Sequence, residues 1–331
     1  MKVSPLTRYG LRGIALIYLF ILLIVPVGAI FYRSFEHGIV QFWEWITTPA
    51  AISALQLSLL IVVIVVPLNV VFGVLTALAL ARGRFPGKGV LQAVVDLPFA
   101  VSPVVAGVAL ILLWGYGGWF GGVESLGFRV IFGFPGLVLA TLFVTLPFVA
   151  REVEPVLREI GTEQEEAAAT LGANAWQVFW RITLPAIRWG LTYGVVLTVA
   201  RALGEYGAVT MVSSNYPGLS QTLTLLVNSR YTDDYNEFGA YAAATLLMFV
   251  AIVVLVLMSL IERRAKSRVA DASGAGADGP ASPDAVVETQ SNAPHGPESI
   301  GAHQVVTEHV HHNAAPQGSA PRNASTSEKG V

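Results

Sequence analysis

Cysteine is missing from this chain altogether, which excludes disulfide frameworks, thiolate metal sites and cysteine nucleophiles. Charge is scarce as well. Asp, Glu, Lys and Arg make up 13% of the 331 residues, about half the fraction usual in a soluble globular protein. What charge there is lies in clusters, so long windows hold none. With 54% hydrophobic residues, the composition is that of an integral membrane protein, and long apolar windows of this kind cross a bilayer as helices. The net charge of −2 says little about partners, because the distribution across the membrane matters and the sum does not.

Other absences narrow the chemistry. No histidine lies in an apolar stretch: His37 is in a loop and the other five are near the C-terminus. No catalytic arrangement stands out and no cofactor is implied. The run Arg82-Gly-Arg-Phe-Pro-Gly-Lys88-Gly89 has the outline of a phosphate-binding loop. It lacks the first glycine at the right spacing and the following Ser or Thr, and it joins two apolar stretches, so it is rejected. Residues 265–331 contain no Phe, Trp, Tyr, Leu or Met. Such a segment cannot bury enough apolar surface to offset its ordering entropy and is expected to be a disordered tail. His303, His309, His311 and His312 fall there, without a rigid frame to set metal geometry.

What is present is apolar length. Six segments, approximately 13–32, 53–81, 90–114, 136–150, 190–212 and 238–261, approach or exceed the roughly 20 residues that span a hydrocarbon core. The first follows Lys2, Arg8 and Arg12 and contains Val27-Gly-Ala29, a cleavage-like site, but its apolar run is too long for a signal-peptide core. Lys and Arg placement then fixes the topology. One side holds fourteen: Lys2, Arg8 and Arg12; Arg82, Arg84 and Lys88; Arg151, Arg158, Arg181 and Arg188; Arg263, Arg264, Lys266 and Arg268. The other side's loops hold Arg33, Arg129 and Arg230. Both termini and the 151–189 segment are therefore expected in the cytoplasm. Phe42, Trp43, Trp45, Trp114, Tyr116, Trp119 and Phe120 sit where an outer aromatic belt belongs. The five glycines of 115–122 mark a connector.

The 151–189 segment is the longest polar interruption. Thr162 followed by Glu165 has capping-box spacing and predicts a helix start. Gly172 predicts a bend, being costly inside a helix and tolerant of a left-handed turn. Asn174 with Gln177 offers a second cap, and the second helix is expected to stop at Thr183 or Leu184, ahead of Pro185. The pattern is a helix–bend–helix knob shaped to dock on another protein.

Ionisable groups inside a membrane are functional candidates, since a charge near the centre costs roughly 2.5–3.5 kcal/mol on insertion scales. Arg201 and Glu205 stand four residues apart on one helical face and can pair. Two readings stay open: a self-neutralising pair that only makes the helix insertable, or a pair that lines or gates a passage. Gly204 and Gly207 suggest a bend or close helix approach there. Asp96, ahead of Pro98 and Pro103, lines the inner end of a pathway, caps a neighbouring helix or reaches interfacial water. Gln56, Asn69 and Ser102 read most simply as helix–helix hydrogen-bonding groups. Pro26, Pro67, Pro98, Pro103 and Pro147 predict kinks.

The knob carries a specific pattern: Glu166-Ala167-Ala168, three residues, Gly172, nine residues, then Ile182-Thr-Leu184-Pro185. It resembles the EAA loop of ABC-importer permeases at every consensus position. Asp96-Leu-Pro-Phe-Ala-Val-Ser102-Pro-Val-Val-Ala-Gly107 and Ala200-Arg201-Ala-Leu-Gly-Glu205-Tyr-Gly-Ala-Val209 resemble the sulfate/thiosulfate permease subunits, the second in a form the molybdate and tungstate permeases share more loosely. Phe85-Pro-Gly87 and Arg188-Trp-Gly-Leu-Thr-Tyr-Gly194 fit the same group. The likeness covers roughly 13–264 and is strongest to the second of two paralogous sulfate permeases.

The resemblance implies a type I ABC importer permease: a six-span domain at 13–264 behind a cytoplasmic segment at 1–12. A coupling helix would seat in the groove of a separate ATPase. It also implies the partners: an ABC ATPase dimer, a paralogous permease and a periplasmic sulfate-binding protein, in a bacterial inner membrane, with no nucleic acid. Glu166, Ala167, Ala168, Gly172, Ile182, Leu184 and Pro185 would shape the coupling contact. Arg201, Glu205, Asp96 and Ser102 are candidates for the pathway. A molybdate or tungstate permease is the alternative. An ion-coupled transporter would need internal repeats and more midplane charge, and a non-transporting scaffold would leave Arg201, Glu205 and the prolines without purpose.

Overall fold

Residues 5–125, 127 and 129–274 are described in the computed structural model, and among them all regular structure is helical. The first span combines α1 (Pro5–Leu19) and α2 (Val25–Phe35) across a single π-turn at Phe20–Ile24. There the Val25 N–H reaches back five residues to Phe20 O. The wide turn lies just ahead of Pro26, which has no N–H to give and whose ring would clash with the carbonyl four residues before it in a regular helix. A short amphipathic helix, α3 (Ile39–Ile46), lies between this span and α4 (Pro49–Arg82). Thr48 caps α4 by accepting from the Ala51 N–H, and Pro49 opens it, both standard start signals.

The third apolar stretch is two helices, α5 (Lys88–Ala100) and α6 (Pro103–Trp114), meeting at 115°. This exceeds the kink expected from the sequence. Val101 and Ser102 are both extended, because Pro103 disfavours helical geometry in the residue before it and cannot donate back. After the one-turn α7 (Gly122–Ser125), α8 (Phe134–Ile160) runs 27 residues, well beyond the expected 136–150. Pro147 and Pro155 do not stop it. Ahead of Pro147, the hydroxyls of Thr141 and Thr145 bond back to the carbonyls of Leu137 and Thr141, keeping both buried side chains satisfied within the helix.

The knob follows: α9 (Glu163–Thr170), a turn at Gly172, and α10 (Ala175–Val178). A second π-turn, Phe179–Thr183, joins α10 directly to α11 (Leu184–Leu203). The expected stop before Pro185 therefore does not occur. The Leu184 N–H bonds Phe179 O, and the extra residue in the turn makes room for Pro185, as at Pro26. The fifth span does end early: α11 closes at Gly204, and only the short α12 (Gly207–Val212) continues to the expected limit. Next come α13 (Leu223–Thr232) and α14 (Glu237–Gly274). Helix α14 passes ten residues into the region expected to be disordered, whose opening Ala-Lys-Ser-Arg-Val-Ala is a fair helix former. Residues 275–331, with the five C-terminal histidines, lie outside the described residues. Among the described residues five helices are long and apolar enough to cross a membrane, or six with the bent pair counted as one.

Helix α8 lies along α4 and α11, with α5, α6 and α12 also against it, while α2 packs on α14. A Cβ on Gly73 of α4 would sit 2.6 Å from Val149 Cβ, and one on Gly190 of α11 would sit 2.6 Å from the Glu152 carbonyl. Small residues thus let backbones approach, the usual basis of helix association in lipid. Of the expected polar packing groups, Asn69 qualifies: fully buried, it donates to Thr145 Oγ1 at 2.6 Å. Gln56 and Ser102 are exposed in this chain and do not play that part. At the end away from the Arg82 cluster, Arg230 is buried and donates to the carbonyls of Gly239 and Trp45 and to Thr48 Oγ1. Burial pushes its pKa below the ordinary arginine value, and these acceptors and the Trp45 ring face hold the charge in place.

Candidate coupling loop and intramembrane ion pair

At the knob, Gly172 has φ +86°, the left-handed turn that favours glycine. Asn174 Oδ1 accepts from the Gln177 N–H at 2.8 Å and the Gln177 side chain accepts from the Asn174 N–H at 3.0 Å, a complete capping box. The first expected box is not formed. Thr162 has near-helical angles and makes no side-chain cap, and Glu165 is engaged elsewhere. Leu171 at 89% and Trp176 at 69% exposure lead an apolar surface on the knob's tip. Trp176, Phe179 and Trp180 form one aromatic cluster. Glu166, Ala167, Gly172 and Pro185 are exposed, and Ala168, Ile182 and Leu184 are half-buried at the root.

Sequence reasoning missed what holds the knob's base. Arg82, the last residue of α4, donates to the carbonyl of Leu157 at 2.9 Å, to that of Gly161 at 2.5 Å and to the Glu165 carboxylate at 3.2 Å. Glu165 Oε1 also accepts from Thr183 Oγ1 at 2.9 Å. Reciprocally, Arg158 near the end of α8 donates to Leu80 O at 3.1 Å and pairs with Glu154. Each long helix thus lends an arginine to the unsatisfied C-terminal carbonyls of the other. In the sequence these arginines read only as topological charge.

The intramembrane candidates separate into two places. Asp96 accepts from Arg151 Nε at 2.8 Å and from Gln92 at 3.2 Å, and Arg151 also covers the Phe99 ring. Asp96 therefore ties α5 to α8. Arg201 and Glu205 form the expected pair, Nη1 to Oε2 at 2.5 Å, with side chains 32% and 1% exposed. Glu205 does more than pair. Its Oε1 accepts from the Ala208 N–H at 2.8 Å and its backbone carbonyl accepts from Thr224 Oγ1 at 2.7 Å. The carboxylate therefore starts α12 across the break at Gly204. Oε2 faces the guanidinium without an aligned donor, so its compensation is the charge itself. The two helix breaks meet here: a Cβ on Gly207 would lie 3.0 Å from Pro103 Cβ, and Gly107 lies against the Ala208 carbonyl. Ser102 belongs to this junction and Asp96 does not. Gly207 is thus a close approach, as anticipated, and Gly204 is a helix end.

Among the described residues no group of His, Asp and Glu could hold a metal. The arrangement offers an exposed apolar knob and, where two broken helices abut, a buried carboxylate paired with a partly exposed guanidinium.

Comparison with known proteins agrees. The sequence profile of a family described as "Binding-protein-dependent transport system inner membrane component" matches residues 69–267. The chain is 50% identical over 258 residues to the sulfate transport system permease protein CysW of Synechocystis, covering 78% of this chain and 93% of that one. To the CysT permease of the same organism it is 36% identical over 251 residues, covering 76% and 87%. A bacterial alginate ABC transporter, solved with an alginate-bound periplasmic protein, superposes with a TM-score of 0.68 at 19% identity, over 78% of this chain and 94% of that one. At that identity the likeness concerns the fold.

Proposed function

Since the chain belongs to the family of binding-protein-dependent transport system inner membrane components, we propose that it is the CysW-type permease subunit of an ATP-driven sulfate importer. It is a multi-pass inner-membrane transporter component and not itself an enzyme. The observation that carries the reading is the knob: an exposed helix pair bearing the EAA pattern, its second helix closed by a capping box and fused through a π-turn to a membrane span. It is an input for energy from a separate subunit, the run at 82–89 lacking the residues of a phosphate-binding loop. We assign the end bearing Arg82, Arg158 and the knob to the cytoplasm, following the charge asymmetry.

In this reading an ATPase dimer binds the knob by helix-in-groove recognition. A CysT-like paralogue completes the bundle, and a periplasmic protein delivers the anion. The greater identity to CysW than to CysT supports a heteromeric pairing in which this chain takes the CysW place. The relatives' names favour sulfate over molybdate or tungstate. Glu166, Ala167, Ala168 and Gly172 shape the ATPase contact, while Ile182, Leu184 and Pro185 root it in the fifth span. Arg201, one-third exposed, can exchange Glu205 for a passing oxyanion when the bundle opens. Ser102 precedes the Pro103 that meets Gly207 at the helix junction, and Asp96 braces the inner end.

The test is reconstitution with the paralogue, the ATPase and the binding protein in vesicles. Sulfate uptake is expected only with ATP on the knob side. Uptake without ATP, or no ATPase retained by the tagged chain in mild detergent, would refute the reading. Wild-type uptake by the double variant Arg201→Leu/Glu205→Leu would remove the pair from the pathway.

A further inference from the structure

A push on the knob moves the membrane helices only if the knob does not bend at its base, and little packing prevents that. Helix α9 makes its main contacts with α10 and the adjoining π-turn, which belong to the same loop. Beneath it is a hollow of about 540 Å³ bordered by Leu78, Arg82, Glu165, Val178 and Thr183. Across this hollow runs one polar strut. Arg82 holds Glu165 from α4, Thr183 holds the same carboxylate from the π-turn, and the guanidinium's other nitrogens hold the Leu157 and Gly161 carbonyls at the end of α8. Arg82 and Glu165 are only 20% and 22% exposed, and the planar fork suits a multi-point contact that a lysine cannot copy. An idle surface ion pair would have one partner and mobile side chains. This one fastens three chain segments at a single point.

We propose that Arg82 and Glu165 are positioning residues that fasten the coupling loop to the ends of α4 and α8. Displacement of the knob is then transmitted to those helices and not absorbed in the loop. The inference rests on the importer reading above.

The informative variant is Glu165→Ala. It removes the strut on the loop side and leaves Arg82 on both α8 carbonyls, so the helix ends stay capped. In the reconstituted complex, the ATPase should co-purify in wild-type amount. Sulfate moved per ATP hydrolysed should fall about fivefold, at the low end of coupling between distant sites, and Glu165→Gln should recover part of the loss. Arg82→Lys, which keeps the charge but not the fork, should shift the same ratio in the same direction. An unchanged ratio in Glu165→Ala overturns the proposal. So does loss of the ATPase from that variant, which would make Glu165 part of the docking surface. If the wild-type complex retains no ATPase, the importer reading itself has failed, and this is seen before any variant is made.

Discussion

Removing Arg201 should cost far more than its exposure suggests, because it strands Glu205. The carboxylate is 2% exposed. In Arg201→Leu it keeps a single donor, the Ala208 N–H. Breaking a buried pair from one side costs about 3–5 kcal/mol. Arg201 is one-third exposed, which screens the pair and places the loss near 3 kcal/mol. The opposite deletion is milder. Glu205→Gln retains an acceptor for the Ala208 N–H and leaves a guanidinium that can reach water, so about 1 kcal/mol is expected. The double variant Arg201→Leu/Glu205→Gln carries no orphan charge. It should lose about 2 kcal/mol where independent effects would give about 4, an interaction of about 2 kcal/mol. The assay is a double-mutant cycle on equilibrium unfolding in one detergent, with far-ultraviolet circular dichroism as the probe. If the two single variants are equally destabilised and add within about 0.5 kcal/mol, the charge compensation argued here is absent.

Three further outcomes follow from the geometry. Gly172→Val places a β-branched residue at φ +86°, at a local cost of about 1–3 kcal/mol; ATPase retention and uptake should fall while the amount inserted in the membrane stays level. Trp176→Ala, at a 69% exposed site, should change stability by less than about 0.5 kcal/mol yet weaken ATPase retention in a pull-down. Arg230→Leu removes the donor from two carbonyls and a hydroxyl, and about 2–3 kcal/mol should be lost, read as a lower melting temperature of the purified chain.

What could be read from the sequence was whatever depends on neighbours in the chain. Apolar length identified the spans, the Gly172 bend and the Asn174–Gln177 cap follow from residues a few places apart, and the Arg201–Glu205 pair follows from helical spacing. The failures each involve a distant partner or a local repair. Thr162 and Glu165 have box spacing, but Arg82, more than eighty positions earlier, claims the carboxylate. Pro185 has the look of a stop because the rule for proline assumes an α-turn, and a π-turn removes the clash. Pro98 and Pro103 promise a kink, and the full 115° bend brings α6 against α12, a contact that no local pattern announces. The charge of Asp96 is legible in the sequence, but what it pairs with is not. Its partner Arg151 lies on another span.

The π-turn at Phe179–Thr183 also sets a phase. An α-helix turns about 100° per residue, and a π-turn carries one residue more than the regular turn it replaces. The knob's tip therefore faces its present direction relative to the fifth span by a count of one. Deleting a single residue between Phe179 and Thr183 would swing Trp176 about a quarter of the way round the helix axis. It would also drive the Pro185 ring into a backbone carbonyl. Whatever side chains the turn carries, its length is held to a single value.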